Sequence, residues 1–247
     1  MNNQTSAPSP PDRSSRAGAV SAVKYLSILD LGLCPYGKAW EIQKQLHADR
    51  LAGNIPDTLI LVEHPHVYTL GKNADARHLI ASQDYLKSRG IELYHVDRGG
   101  DITYHGPGQL IGYPIFNLKE HKESISWYVN SVEEVLIKTL AGFGIQAGRI
   151  KGLTGIWIDD KKIAAIGMRV SRWVTMHGFA LNVATDLSLY SGIVPCGLAT
   201  KGVTRMVDLN PTVSMDAVKA AVIKEFAIQF SFGEPQMNAN PDESGRE

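Results

Sequence analysis

The sequence predicts an α+β fold, in which the strands group together and the helices lie outside them. One observation is a run of strand-like segments separated by polar turns, which is typical of an antiparallel meander; these are 155–158, 162–170 and 173–183. A second is a set of helical patterns that do not alternate one by one with strands; these are 38–52, 124–143 and 215–230. Together they favour α+β over a regular βαβ repeat.

The first half of the chain begins with a helix and continues with strands. Residues 38–52 have the apolar spacing of a helix. Residues 58–63 form a short run of apolar, branched side chains and indicate a buried strand. Residues 66–70 could pair with that strand after a turn at Pro65, and 91–97 is a further candidate strand.

The middle of the chain supplies a strand over 110–118 and a long helix over 124–143. Pro114 interrupts the strand, and a proline within a strand indicates a sheet edge or a bulge. The last helix, 215–230, follows Ser214, whose hydroxyl can accept a hydrogen bond from the first helical turn.

Composition bounds the class of protein. The 247 residues contain 25 Lys plus Arg and 25 Asp plus Glu, which gives a formal net charge of zero. A dedicated nucleic-acid binder should be basic, so this class is disfavoured. No apolar stretch is long enough for a transmembrane helix, and the N-terminus lacks the apolar core of a signal peptide. We therefore expect no nucleic acid or membrane partner.

The chain is expected to form one domain between two polar tails. Residues 1–22 and 232–247 hold too few large apolar side chains to offset the entropy of ordering, which leaves 23–231 as the folded domain. The two cysteines, Cys34 and Cys196, make no disulfide framework and match no metal spacing. Free thiols indicate a reducing compartment, so we expect a cytoplasmic protein without a metal site.

The densest chemical signal is the segment 98–109, RGGDITYHGPGQ. Its glycines allow close approach of a ligand to the backbone, and Arg98 and His105 add hydrogen-bond donors. The alternative is a glycine-rich connection with its polar side chains in solvent. Because Arg, Thr, Tyr and His are interleaved with the glycines, we favour a ligand site. The segment matches neither a dinucleotide fingerprint nor a P-loop.

A thiol and an amine form the second signal. Cys196 lies between Pro195 and Gly197, in a turn that can expose a thiol, whereas Cys34 has no such setting. Most free cysteines are buried and inert, so composition alone favours a structural role. Lys162 opens a strand of small residues, which leaves room for an extended acyl chain. A lysine near a cysteine favours its thiolate, although Lys162, like Lys161, could equally be a plain hairpin lysine.

The eight histidines of the chain cannot be sorted by spacing. His177 precedes small and apolar residues on a strand, where a single histidine is more often structural than catalytic. His64, His105 and His177 all remain candidates for assisting catalysis. No HExxH or similar metal motif occurs.

Taken together, four motifs resemble the lipoyl(octanoyl) transferase family, within the wider group of biotin and lipoate protein ligases. The patterns, in chain order, are RGGxxTxHxPGQ at 98–109, KIAxxG at 162–167, HG[LF]ALNV at 177–183 and PCG at 195–197. The resemblance covers about 24–210. It implies a mixed, largely antiparallel sheet flanked by helices, related to class II synthetase cores.

The resemblance also implies a two-step acyl transfer. Octanoate would arrive as a thioester on the phosphopantetheine of acyl carrier protein and pass to the Cys196 thiolate. A lysine on a lipoyl domain of a 2-oxo acid dehydrogenase E2 subunit, or of the glycine cleavage H protein, would then accept it. Lys162 would lower the pKa of Cys196 and act as acid and base. No cofactor is expected, and the enzyme is expected to be a monomer.

By the same resemblance, three segments bind the octanoyl group. They are Arg98, Gly99, Gly100, Asp101, Ile102, Thr103, Tyr104 and His105; Ala165, Ile166 and Gly167; and Gly178, Phe179 and Ala180.

Two other functions remain open. An ATP-dependent lipoate or biotin ligase on the same fold would activate a free acid and need no cysteine. Lipoate ligases usually carry a longer segment with two arginines and three glycines, whereas here Arg98 precedes two glycines. A catalytically silent module that binds carrier proteins would not need both Cys196 and Lys162.

Overall fold

The computed structural model describes residues 24–194 and 201–238, and within these ranges the chain forms four helices and twelve strands. The helices are α1 (Tyr36–Ala52), α2 (Gln83–Arg89), α3 (Ile125–Gly142) and α4 (Met215–Gln229). The strands are β1 (Ser27–Leu33), β2 (Thr58–Glu63), β3 (Val67–Leu70), β4 (Glu92–His95), β5 (Ile102–His105), β6 (Gln109–Ile115), β7 (Gly148–Ile150), β8 (Leu153–Ile158), β9 (Lys161–Ser171), β10 (Val174–Asn182), β11 (Gly202–Val203) and β12 (Gln236–Met237).

Nine strands form one large mixed sheet in the order β12-β1-β2-β6-β10-β9-β8-β7, with β11 paired to β9. The β12–β1, β1–β2 and β11–β9 pairs are parallel, and the other pairs of this sheet are antiparallel. The meander predicted over 155–183 is confirmed as β8, β9 and β10. The predicted α+β class with a largely antiparallel sheet is confirmed.

The small sheet has the order β4-β3-β5 and corrects one prediction. Residues 66–70 do not pair with 58–63, because β1 and β6 occupy both edges of β2. Instead, β3 pairs in parallel with β4 and antiparallel with β5. The glycine-rich segment therefore enters a second sheet before it reaches β6.

Pro114 does not mark a sheet edge, because β6 lies between β2 and β10. The β6–β10 register runs from Asn182–Gln109 to Phe179–Gly112 and is then interrupted. Beyond that point His177 has a left-handed backbone, with φ of 58°. The missing N–H of Pro114 therefore falls where the ladder is already broken.

Helices cover both faces of the large sheet. One face packs against α3 and α4 through a cluster that includes Leu61, Leu136, Phe179 and Phe226. The other face packs against α1 and includes Ile60, Ile111, Tyr113, Met176 and Ala180. Side chains on the two faces of β10 therefore belong to different cores, with Phe179 in one and Ala180 in the other.

Serine caps fix the starts of three helices. The hydroxyl of Ser124 accepts the N–H of Trp127 at 3.3 Å, and Ser214 caps α4 in the same way, as predicted. Ser82 caps α2, a short helix that was not predicted from the sequence.

The C-terminal tail predicted over 232–247 begins too early, because the folded part of the chain continues to Met237. Gln236 and Met237 pair with Ser27 and Ile28, and Phe232 packs against the core. A parallel pair at a sheet edge uses backbone groups, so a polar segment can form it without apolar periodicity. Residues 1–22 lie outside the described ranges.

Candidate active site

One cavity of about 560 Å³ collects the predicted segments. Its lining includes Lys162 and thirteen of the fourteen residues predicted to bind substrate: Arg98, Gly99, Gly100, Asp101, Ile102, Thr103, His105, Ala165, Ile166, Gly167, Gly178, Phe179 and Ala180. Residues distant in sequence therefore meet where the small sheet, β9 and β10 converge.

Tyr104 is the exception among the predicted ligand residues. Its side chain is fully buried in the core of the small sheet, and its hydroxyl bonds to His66 Nδ1 at 2.9 Å. Its ring packs in that core with Tyr68 and Tyr190, whose ring centres lie 5.9 and 5.3 Å away. Tyr104 supports the site from behind and does not line it.

The loop that begins the motif lies directly on β9. The N–H of Gly99 donates to the carbonyl oxygen of Met168 at 2.9 Å. A Cβ at Gly167 would come 2.9 Å from the carbonyl oxygen of Gly99. The absence of a Cβ at Gly167 therefore lets the Gly99 backbone approach β9, and Gly167 also lines the cavity.

Gly178 has a similar explanation on β10. A Cβ there would lie 2.1 Å from the carbonyl oxygen of Gly112 and 2.7 Å from Pro114. By contrast, Ala165 and Ala180 face each other as a cross-strand pair, and both line the cavity. The predicted space for an acyl chain is thus concentrated at the two alanines.

The guanidinium of Arg98 donates hydrogen bonds mainly to the protein itself. Its guanidinium is buried and donates from Nε and Nη2 to Thr69 Oγ1 and from Nη2 to the Thr69 carbonyl, at 2.7 to 3.2 Å. Nη1 donates to the carbonyl of Gly99 at 3.0 Å. These bonds fasten the glycine-rich loop to β3, which fixes the wall of the cavity.

Asp101 connects the same loop to the chain that leads toward Cys196. One carboxylate oxygen accepts the N–H of Ile102 at 2.7 Å, and the other bonds to His78. The His78 carbonyl accepts the N–H of Val194 at 2.8 Å. The last residue described before Cys196 is therefore held against the loop that forms the cavity wall.

Lys162 lies where β8, β9 and β11 meet. Its Nζ is 4.7 Å from the centre of the Trp157 ring, a cation–π distance. Val203 pairs with Lys162, and the backbone carbonyl of Lys162 accepts the N–H of Thr204 at 3.0 Å. The chain thus returns beside Lys162 soon after the segment that carries Cys196.

The two cysteines differ in what can be said of them. Cys196 lies outside the described residues. Cys34 is buried, and its thiol lies 3.6 Å from the Pro35 carbonyl, away from the lining of the cavity. The predicted structural role of Cys34 agrees with this placement.

The three candidate histidines have different environments. His64 Nδ1 lies 2.7 Å from the Cys34 carbonyl, and Nε2 lies 2.8 Å from the Tyr113 hydroxyl. Burial lowers the pKa of His64 to about 4. His64 does not line the cavity, but its hydrogen-bond partner Tyr113 does.

His105 is also neutral and committed to neighbours. Burial, with repulsion from His64, lowers its pKa to about 3. Its Nδ1 lies 2.8 Å from Gln109 Oε1, and its Nε2 lies 3.5 Å from Thr69 Oγ1. His105 lines the cavity, and in this structure its ring nitrogens face Gln109 and Thr69.

Of these three candidates, His177 is the one with an unused ring nitrogen in the part of the chain that the structure describes. Nε2 bonds to Asp97 at 2.8 Å, whereas buried Nδ1 has no hydrogen-bond partner among residues 24–194 and 201–238. Burial lowers the pKa of His177 to about 4, against the opposing effect of Asp97. His177 lines the cavity as a neutral acceptor.

Several residues that line the cavity were not predicted from the sequence. They are Tyr36, Asn73, Ile111, Tyr113, Val129, Gly152, Leu153, Thr154 and Met168. Tyr113 and Ile111 belong to the predicted strand 110–118, where period-two alternation could have placed them on one face. Tyr36 at the start of α1 carried no such signal.

Two further features concern the described part of the chain. No helix there is long and apolar enough to cross a bilayer. No group of three or more His, Cys, Asp or Glu side chains there could hold a metal ion.

Comparisons with known proteins agree with one another. Residues 35–227 match the Lipoyl protein ligase A/B catalytic domain family. The chain is 52% identical to an octanoyltransferase of Solibacter usitatus over 82% of this chain and 91% of that protein. It is 51% identical to an octanoyltransferase of Gloeobacter violaceus, over 82% and 89%.

Solved structures share the fold at lower identity. A lipoate-protein ligase A bound with ATP aligns with a TM-score of 0.68 and 21% identity, over 90% of this chain and 92% of that one. A bipartite lipoate protein ligase of Thermoplasma acidophilum aligns with a TM-score of 0.67 and 21% identity, over 90% and 89%. At such identity the likeness concerns the fold alone.

Proposed function

Since this chain belongs to the lipoyl protein ligase A/B catalytic-domain family, and relatives at 51–52% identity are octanoyltransferases, we propose that it transfers an octanoyl group to a lysine of lipoyl-accepting domains. It is an acyltransferase that serves protein lipoylation. The observation that carries the proposal is the single cavity in which Lys162 meets three separate motif segments.

The donor is octanoyl-acyl carrier protein, whose octanoyl group is a thioester. The Cys196 thiolate attacks the thioester carbonyl, a new carbon–sulfur bond forms, and the phosphopantetheine thiolate leaves. Attacking and leaving groups are both thiolates, so the exchange needs no external energy source. Elimination supports Cys196 as the nucleophile, because the sequence has two cysteines and Cys34 is buried away from the cavity.

The second step forms an amide. The amine of the acceptor lysine attacks the acyl-thioester carbonyl, the carbon–nitrogen bond forms, and the Cys196 thiolate is released. The amine loses one proton in this step, and Lys162 is placed at the cavity to relay it. The proximity of Lys162 to the chain returning at Val203 supports its pairing with Cys196.

The acceptors are lipoyl domains of 2-oxo acid dehydrogenase E2 subunits and the glycine cleavage H protein. The protein acts in the cytoplasm, as a monomer and without a cofactor. The solved Thermoplasma acidophilum ligase was determined in a study that includes its E2 lipoyl domain, which supports a lipoyl domain as partner.

One experiment separates this function from ATP-dependent ligation. The purified chain is mixed with an unmodified lipoyl domain and either octanoyl-acyl carrier protein without ATP, or free octanoate with ATP and Mg²⁺. The mass of the lipoyl domain is then measured. We expect an octanoyl increment with the carrier protein alone. An increment that requires free octanoate and ATP would identify a ligase, and none in either mixture would indicate a silent module.

A further inference from the structure

Strand β9 contains a β-bulge next to Lys162. Ile156 and Trp157 are adjacent on β8, yet their partners on β9 are Ala164 and Lys162, so Ile163 is an extra residue without an opposite number. Neighbours on a regular strand alternate between faces, so an unbroken β9 would place Lys162 on the face of Ala164. The bulge places Lys162 on the opposite face, together with Trp157, because residues paired across antiparallel strands share a face.

The burial of these side chains agrees with the change of face. Ile163 and Ala164 are consecutive, yet both are buried in the core that packs against α3 and α4. Trp157 is buried outside that core, and Lys162 lines the cavity. The bulge therefore keeps the lysine out of the core and presents it to the site.

Gly155 provides the path by which the Lys162 side chain crosses β8. A Cβ at Gly155 would lie 3.3 Å from Cε and 3.5 Å from Cδ of Lys162, so the lysine stem lies against the glycine. The same Cβ would lie 2.7 Å from the Ala164 carbonyl oxygen, and φ at Gly155 is 120°, a value that favours glycine. The preceding residue, Thr154, already lines the cavity. The lysine thus reaches the cavity across Gly155.

A buried carboxylate on α3 holds the backbone at Gly155. One oxygen of Glu133 accepts the N–H of Gly155 at 3.3 Å, and the other accepts Nε of Arg149 at 2.8 Å. Arg149 belongs to β7 and Gly155 to β8, so Glu133 fastens two neighbouring strands to the helix. The backbone beneath the lysine stem is therefore fixed from the side of α3.

Trp157 holds the charged end of the same side chain. The Nζ of Lys162 lies 4.7 Å from the centre of the Trp157 ring, within the range of a cation–π contact. Trp157 is 3% exposed and does not line the cavity. A lysine has many rotamers, and an unsupported one would spread its ammonium group over many positions. The buried ring and the glycine contact restrict Lys162 to few of them.

We propose that Trp157 and Gly155 are positioning residues for Lys162, which hold its ammonium group where the reaction uses it. The inference rests on the proposed function, in which Lys162 favours the Cys196 thiolate and relays a proton. Because Trp157 does not line the cavity, it acts through Lys162. Loss of the Trp157 ring therefore matters only while Lys162 is present.

A double-mutant cycle tests this dependence. The rate at which iodoacetamide alkylates Cys196 at pH 7 is measured for the wild type, Trp157→Leu, Lys162→Ala and the double variant, and mass spectrometry locates the label. Trp157→Leu should slow alkylation about fivefold, because a displaced ammonium group favours the thiolate less. In the Lys162→Ala background the same change should alter the rate less than about twofold. Equal effects in both backgrounds, or no effect in either, would show the proposal to be wrong.

Two further variants separate positioning from general damage. Trp127→Leu removes the same side chain from α3, at a position that does not line the cavity, and should leave alkylation unchanged. Trp157→Phe keeps a ring beside the ammonium group and should slow alkylation less than about twofold. If Trp157→Phe and Trp157→Leu are equally slow, the aromatic ring does not hold the lysine and the proposal fails.

The lysine signals in an NMR spectrum give a measurement that needs no Trp157 variant and no catalysis. In the wild type labelled with ¹³C at lysine Cε, the signal that Lys162→Ala removes should be shifted upfield by the ring. Lys44 is an internal reference, because its Nζ lies 4.1 Å from the centre of the Trp40 ring. If the Lys162 signal coincides with those of lysines that contact no ring, the proposal is wrong.

Failure of the proposed function would look different. A wild type that shows the shifted Lys162 signal but transfers no octanoyl group from the carrier protein would overturn the proposed function. A shifted signal together with an alkylation rate that Lys162→Ala leaves unchanged would overturn the role proposed for Lys162 toward Cys196.

Discussion

Three buried histidines make the stability of this protein depend on pH. Burial lowers the pKa of His64 and His177 to about 4 and that of His105 to about 3, against about 6.5 in an unfolded chain. Between these values the unfolded state binds more protons than the folded state, so the free energy of unfolding falls as pH falls. At pH 5, each of the three histidines lowers the free energy of unfolding by about 2 kcal/mol relative to its value at pH 8.

The three losses sum to about 6 kcal/mol, comparable to the whole stability of many domains. Urea unfolding at pH 8, 6.5 and 5 measures this change directly. His105→Gln removes one of the three nearly equal histidine contributions. It should therefore reduce the change in unfolding free energy between pH 8 and pH 5 by about a third. His95→Gln, at an exposed position, should leave it as in the wild type. If unfolding free energies at pH 8 and pH 5 agree within about 1 kcal/mol, the neutral state of these histidines is refuted.

Three further predictions concern the cavity. Ala165→Leu should reduce octanoyl transfer while transfer of a shorter acyl group survives in the same carrier-protein assay, and equal loss for both would contradict a role in holding the chain. Gly167→Ala should lower the free energy of unfolding by about 1–3 kcal/mol in urea, since its Cβ would meet a backbone carbonyl at 2.9 Å; unchanged stability would show that the loop moves freely. Lys162→Ala should slow alkylation of Cys196 by iodoacetamide at pH 7, because less thiolate forms. Lys161 does not line the cavity, so Lys161→Ala should leave the rate unchanged. If Lys161→Ala slows alkylation and Lys162→Ala does not, Lys161 is the lysine that activates the thiol.

The parts of the fold that could be predicted were those with local signals. The long helices α3 and α4 have apolar spacing and serine caps, and β8 to β10 have turns between branched residues. In contrast, β12 pairs through its backbone at a sheet edge, so its polar sequence carried no strand signal. The 66–70 pairing was wrong because the neighbours of β2 come from distant parts of the chain.

The site divides in the same way. The family resemblance implied that the motif residues around Arg98 and Lys162 share one site, and both line the same cavity. Gly167 and Gly178 line the cavity as predicted, but each also has another part of the backbone close to where a Cβ would lie, which the sequence cannot show. Tyr36 reaches the site through tertiary packing, which local spacing cannot reveal.

The covalent intermediate on Cys196 distinguishes the proposed acyl transfer from any mechanism that bypasses this thiol. The enzyme is mixed with octanoyl-acyl carrier protein in a single turnover without acceptor, and its intact mass is measured before and after hydroxylamine. We expect one octanoyl increment that hydroxylamine removes, that maps to Cys196 and that is absent from Cys196→Ser. An enzyme that transfers octanoate to a lipoyl domain yet never carries the increment, or carries it on Cys34, would contradict it.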